Sequence, residues 1–120
     1  MCGRFAFYSP RESVQEYFGV EVPFAFEPRY NVAPSQEVMV IRQQANAQPE
    51  TEMLKWGLVP FWAKDSEIGS RMITARAETV AEKPAFRQAF KQRRCVILAD
   101  GFYEWHTEEG RTTPYFPSFK

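Results

Sequence analysis

Cysteine is scarce in this chain of 120 residues: only Cys2 and Cys95 are present, and there is no C-x-x-C. That excludes a disulfide framework and a cysteine zinc site. Histidine is scarcer still, with His106 alone, so any Ser-His-Asp or Cys-His device would have to use it, and no G-x-S-x-G elbow accompanies it. No run approaches the ~18 apolar residues of a membrane span, and Met1-Cys2-Gly3-Arg4-Phe5 lacks the apolar stretch of a secretory signal. No phosphate-binding glycine loop of either common type occurs, nor a metal-spaced His/Cys/Asp cluster. Repeats, low-complexity tracts and a linker are absent too. The expectation is a protein of the cytoplasm with reduced thiols, no metal, no nucleotide cofactor and no membrane partner.

What is present is a soluble-domain composition, 44% hydrophobic and 25% charged, with a high aromatic share of 16%. The 15 basic and 15 acidic residues cancel, but unevenly. Between Arg71 and Arg94 seven basic residues face two acidic ones. A basic block in an otherwise acidic chain can be a footprint for a polyanion; charge alone favours the plainer reading, a solvated helix face.

Ser9-Pro10-Arg11-Glu12 predicts a helix with Ser9 as N-cap and Glu12 completing a capping box. Val14, Tyr17 and Phe18 fall on one face of it and Gly19 ends it. Residues 20–34, with Pro23, Pro28 and Pro34, read as an extended loop. Val38 to Ile41 and Met53 to Val59 read as strands joined by a polar loop. Thr79-x-x-Glu82 predicts a second helix, with Phe86 and Phe90 inward and Arg87, Lys91 and Arg94 forming a basic stripe. Cys95 to Ala99 reads as a buried strand, Asp100-Gly101 as a tight hairpin turn and Phe102 to Trp105 as its return. The fold expected is α+β, a mixed, largely antiparallel curved sheet with flanking helices.

Two positions stand out chemically. Removal of Met1 would make Cys2 an N-terminal aminothiol, whose amine and thiol have ordinary pKa values of about 8 and 8.5. Such a pair condenses with an aldehyde, first as a Schiff base and then as a five-membered thiazolidine. Arg4 lies on the same side of an extended chain and could hold a phosphate there. The alternative is a frayed terminus with an idle cysteine. Glu104, among aromatics, has the partly desolvated setting that suits proton transfer, or is an edge-strand surface glutamate. Trp62 is placed where a ring can stack on an unpaired base or simply pack.

Five ordered blocks carry a resemblance: Met1-Cys2-Gly3-Arg4-Phe5, Arg29-Tyr30-Asn31-Val32-Ala33-Pro34, Trp56-Gly57-Leu58-Val59-Pro60, Ala75-Arg76-Ala77-Glu78-Thr79 and Ala99-Asp100-Gly101-Phe102-Tyr103-Glu104-Trp105. Together they resemble the SOS response-associated peptidase (SRAP) family of abasic-site processing proteins. The resemblance implies an SRAP-like sheet with a barrel-like core. It also implies covalent capture of abasic sites in single-stranded DNA, within the response to DNA damage, by a thiazolidine on Cys2. Glu104 would assist proton transfer and Arg4 and Arg76 would hold the DNA backbone; Arg87, Lys91 and Trp62 are candidates for further DNA contacts. Self-cleavage as a cysteine-type peptidase, lyase-like activity and non-catalytic single-strand binding stand as alternatives. In a bacterium the place expected is the nucleoid-bearing cytoplasm.

Two departures mark this chain. Thr74 stands where the family usually has an Asn that positions the cysteine, and Thr lacks the amide's paired donor and acceptor. Members of the family are roughly twice as long and add a histidine from their second half, a role that His106 does not fill by position. Residues 1–120 are therefore expected to be the N-terminal portion of one SRAP-like domain, incomplete at the C-terminus. Its oligomeric state is open.

Overall fold

The computed structural model describes residues 2–118. Alternation along one strand organises them. Strand β3 (Glu37–Arg42) turns Val38 and Val40 into one apolar cluster with Phe5, Val32 and Trp56, while Met39 points into a second with Val14, Val20, Val22 and Leu98. Both faces are thus covered, as the two-residue period requires. Antiparallel to β3 on one side runs β4 (Glu50–Lys55), and on the other β5 (Cys95–Ile97).

A second three-stranded sheet has β1 (Phe5–Phe7) at its centre, between β2 (Arg29–Val32) and β6 (Gly101–Phe102). Strands β7 (Glu104–Glu108) and β8 (Arg111–Tyr115) form a separate antiparallel ribbon. The helices are α1 (Arg11–Phe18), a 3-10 helix at Ser66–Arg71 and α2 (Arg87–Gln92). The architecture is α+β with antiparallel sheets, as expected. The barrel-like core is not: among the described residues the strands form three sheets and do not close, because β6 is two residues long and Tyr103 interrupts the path into β7.

Other local expectations are corrected. Asp100-Gly101 is a crossover between sheets, not a hairpin, since β5 pairs with β3 and β6 with β1. Gly101 is needed for room: a Cβ there would stand 2.6 Å from Phe116 Cζ and 2.8 Å from the Pro117 oxygen. Pro10, not Ser9, is the N-cap of α1. The Ser9 hydroxyl instead donates to the Asp100 carboxylate, which also accepts the Tyr8 and Ser9 amides at 2.7 and 2.8 Å. Of the apolar stripe on α1 only Val14 is buried; Val20 and Val22, from the loop beyond Gly19, fill the space that Tyr17 and Phe18 were expected to take.

The loop assigned to residues 20–34 contains β2. Helix α2 is a turn and a half, preceded by successive turns over 77–86, because Pro84 has no N–H with which to extend a ladder from Val80. Its basic stripe is broken accordingly: Arg94 lies beyond the helix with its guanidinium 4.7 Å above the Phe90 ring. Strand β5 is exposed at all three positions, Cys95 included, because within the described residues it has a neighbour on one side only; Leu98 alone of that run is buried. His106 lies inside β7.

Asp100 ties the β5–β6 crossover to the start of α1, so Asp100→Ala removes the acceptor of three donors. We expect a loss of about 2–3 kcal/mol in urea unfolding, with Asp100→Asn losing less. An unchanged midpoint for Asp100→Ala would contradict this role.

Candidate functional site: a thiol, a guanidinium and a carboxylate at the end of β1

Phe5 fixes the location of the site. It is 5% exposed, packs on Trp56 with ring centroids 5.2 Å apart, and pairs with both Val32 and Phe102. The residues just before it are therefore held against the sheet and not left to fray. Cys2 is half-buried and packs against the Phe5 cluster, and its thiol donates to the Arg4 carbonyl at 3.5 Å. The same carbonyl accepts the Tyr103 amide at 2.9 Å. The Tyr103 hydroxyl donates to the Tyr30 carbonyl at 2.7 Å, so one residue clamps the approach to β1 and strand β2 together. Arg4, half-buried, donates from Nη1 to Asn31 Oδ1 at 3.1 Å.

Glu104, half-buried, opens β7 directly after this clamp. Its charge is felt at the Cys2 thiol. Burial pushes that thiol above its ordinary value, a backbone hydrogen bond at Arg4 works against the rise, and the Glu104 charge adds to it. Because β6 ends at Phe102 and β7 begins at Glu104, the two residues do not share one strand's alternation.

Thr74 approaches from another segment. Ile73 packs on the same cluster as Cys2, and Thr74 lines a groove with Trp56, Ile73, Val80, Phe86 and Arg93. That segment is docked by a glycine pair: Gly57 has φ +132 and a Cβ on it would fall 2.2 Å from the Gly69 oxygen, while Leu58 donates its amide to Met72 at 3.0 Å. Only glycine tolerates both the conformation and the approach. Arg76, two residues on, is exposed, and its carbonyl caps the turn that follows.

Arg87 and Lys91 lie elsewhere. They line a depression of about 710 Å³ with Phe61, Ala81, Pro84 and Phe90, in which Cys2, Arg4 and Glu104 take no part. Trp62, 53% exposed, follows Phe61. The structure thus gathers Cys2, Arg4 and Glu104, sets Thr74 on the adjoining segment, and places Arg87, Lys91 and Trp62 in or beside a second, basic and aromatic surface. No three His, Cys, Asp or Glu side chains gather as a metal site among the described residues. Asn31 and Tyr103 are site residues that sequence reasoning missed as such. Both stood in the blocks that carry the resemblance, but only strand pairing reveals what they touch.

A half-buried thiol held on the Arg4 carbonyl, and feeling the Glu104 charge, stands just before the central strand β1. The family described as SOS response associated peptidase (SRAP) matches residues 1–120, and the chain belongs to it. Abasic site processing protein YoaM of Bacillus subtilis is 45% identical over 115 residues, covering 93% of this chain and 50% of that protein. Abasic site processing protein HMCES of Mus musculus is 31% identical over 144 aligned positions, covering 99% and 41%. A solved protein from Bacteroides thetaiotaomicron shares the fold with a TM-score of 0.79 at 24% identity, covering 96% of this chain and 53% of that one. The chain spans about half the length of the curated relatives it matches.

The Glu104 charge disfavours the Cys2 thiolate, so removing it lets the thiol ionise at lower pH. In a Cys95→Ser background, the pH profile of Cys2 alkylation should shift downward for Glu104→Gln and stay nearly in place for Glu104→Asp. A Glu104→Gln profile superimposable on the parent would contradict the contact.

Proposed function

We propose that the protein processes abasic sites in DNA by capturing the sugar aldehyde covalently on Cys2, on single-stranded DNA. The observation that carries this reading is the Cys2 thiol held on the Arg4 carbonyl just before β1, within the influence of the Glu104 charge. Family membership, and the names of the curated relatives, support it.

The reaction begins once Met1, which lies outside the described residues, has been removed. The Cys2 amine adds to the aldehyde carbon and water leaves, giving an imine. The thiol proton passes to the Glu104 carboxylate as sulfur attacks the imine carbon, forming the C–S bond. The imine nitrogen takes up that proton, which closes the thiazolidine and restores Glu104. One water is lost overall and no oxidant or cofactor is consumed.

The raised thiol pKa is consistent with this order, since a thiol kept protonated needs a base at the moment of attack. Arg4 and Arg76 would hold flanking phosphates, and the Arg87–Lys91 surface with Phe61 and Trp62 would take strand further from the lesion. Thr74, with a hydroxyl in place of an amide, would orient the amine by a single hydrogen-bonding group.

The test is a denaturing gel of the protein, shown by mass to begin at Cys2, after incubation with a single-stranded oligonucleotide carrying one abasic site. We expect a slow band with the abasic strand only. It should be lost in Cys2→Ala and formed roughly 10²–10⁴-fold more slowly in Glu104→Gln. A denaturant-resistant band that persists in Cys2→Ala would overturn the proposal.

A further inference from the structure

Two arginines of this chain meet oxygen acceptors of opposite character. Arg42, on β3, faces carboxylates, with Nε 3.8 Å from Glu50 and 2.5 Å from Glu52. At the tip of Arg4, Nη1 instead meets the neutral amide oxygen of Asn31, 3.1 Å away. The difference matters for an anion. A guanidinium carries five N–H donors. An amide oxygen at one of them fixes the plane and leaves the others, and the full positive charge, for a phosphate. A carboxylate in the same place would bind the fork and cancel the charge.

The support for Asn31 is itself rigid. It follows Tyr30, whose carbonyl accepts the Tyr103 hydroxyl, and Tyr103 also holds the Arg4 carbonyl through its amide. Val32, the next residue, is 1% exposed and paired with Phe5. Asn31 and Arg4 are therefore set on two pieces of backbone fastened to each other by the same residue, Tyr103, through its amide and its hydroxyl, and by strand pairing, while Asn31 itself stays exposed. Such a preset arrangement lowers the ordering cost of a phosphate contact.

We infer that Asn31 is a positioning residue that aims the Arg4 guanidinium at a DNA phosphate while leaving its charge intact. The inference rests on the capture of abasic DNA proposed above and adds to it the residue that makes Arg4 effective. It also assigns a reason for Asn over Asp at this position: Asp would hold Arg4 as firmly but spend its charge.

The experiment measures binding of an intact single-stranded oligonucleotide against salt concentration, and in parallel the rate of link formation with the abasic strand. Arg4→Ala should flatten the log–log salt slope by about 0.7, the value of one single-strand phosphate contact. Asn31→Asp should flatten it by the same amount although Arg4 is still present. Asn31→Ala should keep the parental slope but slow link formation about 3- to 10-fold, and Asn31→Gln, which returns an amide oxygen, should recover part of that rate. Should Asn31→Asp not give a cooperative thermal transition, the Ala and Gln pair carries the test. If Arg4→Ala flattens the slope and Asn31→Asp does not, or if Asn31→Ala links at the parental rate, the inference is overturned and the capture reading stands. If Arg4→Ala leaves the slope untouched, Arg4 holds no phosphate and the inference falls with that part of the function.

Discussion

Phe5 is paired on both sides, to Val32 and to Phe102, and buried on Trp56. Every feature of the candidate site depends on that double constraint. An N-terminal segment ordinarily has backbone on one side and solvent on the other, and its first residues fray. Here the third residue after Cys2 is at the centre of a sheet, so Cys2 and Arg4 inherit a defined position. The partners of β1 then deliver the rest: β2 brings Asn31, and the chain leaving β6 brings Tyr103 and Glu104. A reactive N-terminus needs the amine and thiol free to meet a substrate but not free to wander. Anchoring at Phe5 and the half-burial of Cys2 meet both needs.

The price of that centrality is that chain far apart in sequence must converge on β1, and the structure shows how this is secured. Asp100 collects the Tyr8 and Ser9 amides and the Ser9 hydroxyl, fastening the crossover from β5 to β6 onto the residues after β1. The Gly57–Gly69 approach does the same for the segment that carries Thr74 and Arg76. Neither device contributes a group to the chemistry, yet both determine where the chemical groups stand. Away from these ties the chain is more open: Val96, Ile97, Trp105, Tyr115 and Phe116 are all exposed.

What was legible in the sequence follows from the range of the interactions involved. Strand β3 came through to within a residue at each end because its pattern is local, whereas the expected strand from Met53 to Val59 overlaps β4 only over Met53–Lys55, the chain leaving the strand at Trp56; Gly19 ended α1 with the left-handed φ of 65° expected of a C-cap glycine. The Ser9 capping box failed because a carboxylate 91 positions away competes for the same hydroxyl. The Asp100-Gly101 turn failed because the residues after it pair with β1 and not with the strand before it. Cys95 was expected inside because an apolar run looks the same whether its strand is central or at an edge. Of the candidate site residues, Cys2, Arg4 and Glu104 could be picked out from residue type and from the blocks that carry the resemblance, and the structure sets the Cys2 thiol on the Arg4 carbonyl and under the influence of the Glu104 charge. Arg87 and Lys91, candidates for further DNA contacts, face a depression of their own with Phe61. Asn31 and Tyr103 were invisible as site residues because their contacts cross strands.

In the proposed capture of abasic DNA, the N-terminal segment anchored by Phe5 presents Cys2 as the residue that becomes linked. The most direct measurement is peptide mapping by mass spectrometry of the product formed with an abasic single strand, after nuclease and protease digestion. The expected result is the added sugar-phosphate mass on the N-terminal peptide, at Cys2, with the mass of one water lost on joining and the Cys95 peptide unmodified. Modification at Cys95 or at a lysine, with the N-terminal peptide recovered intact, would contradict it.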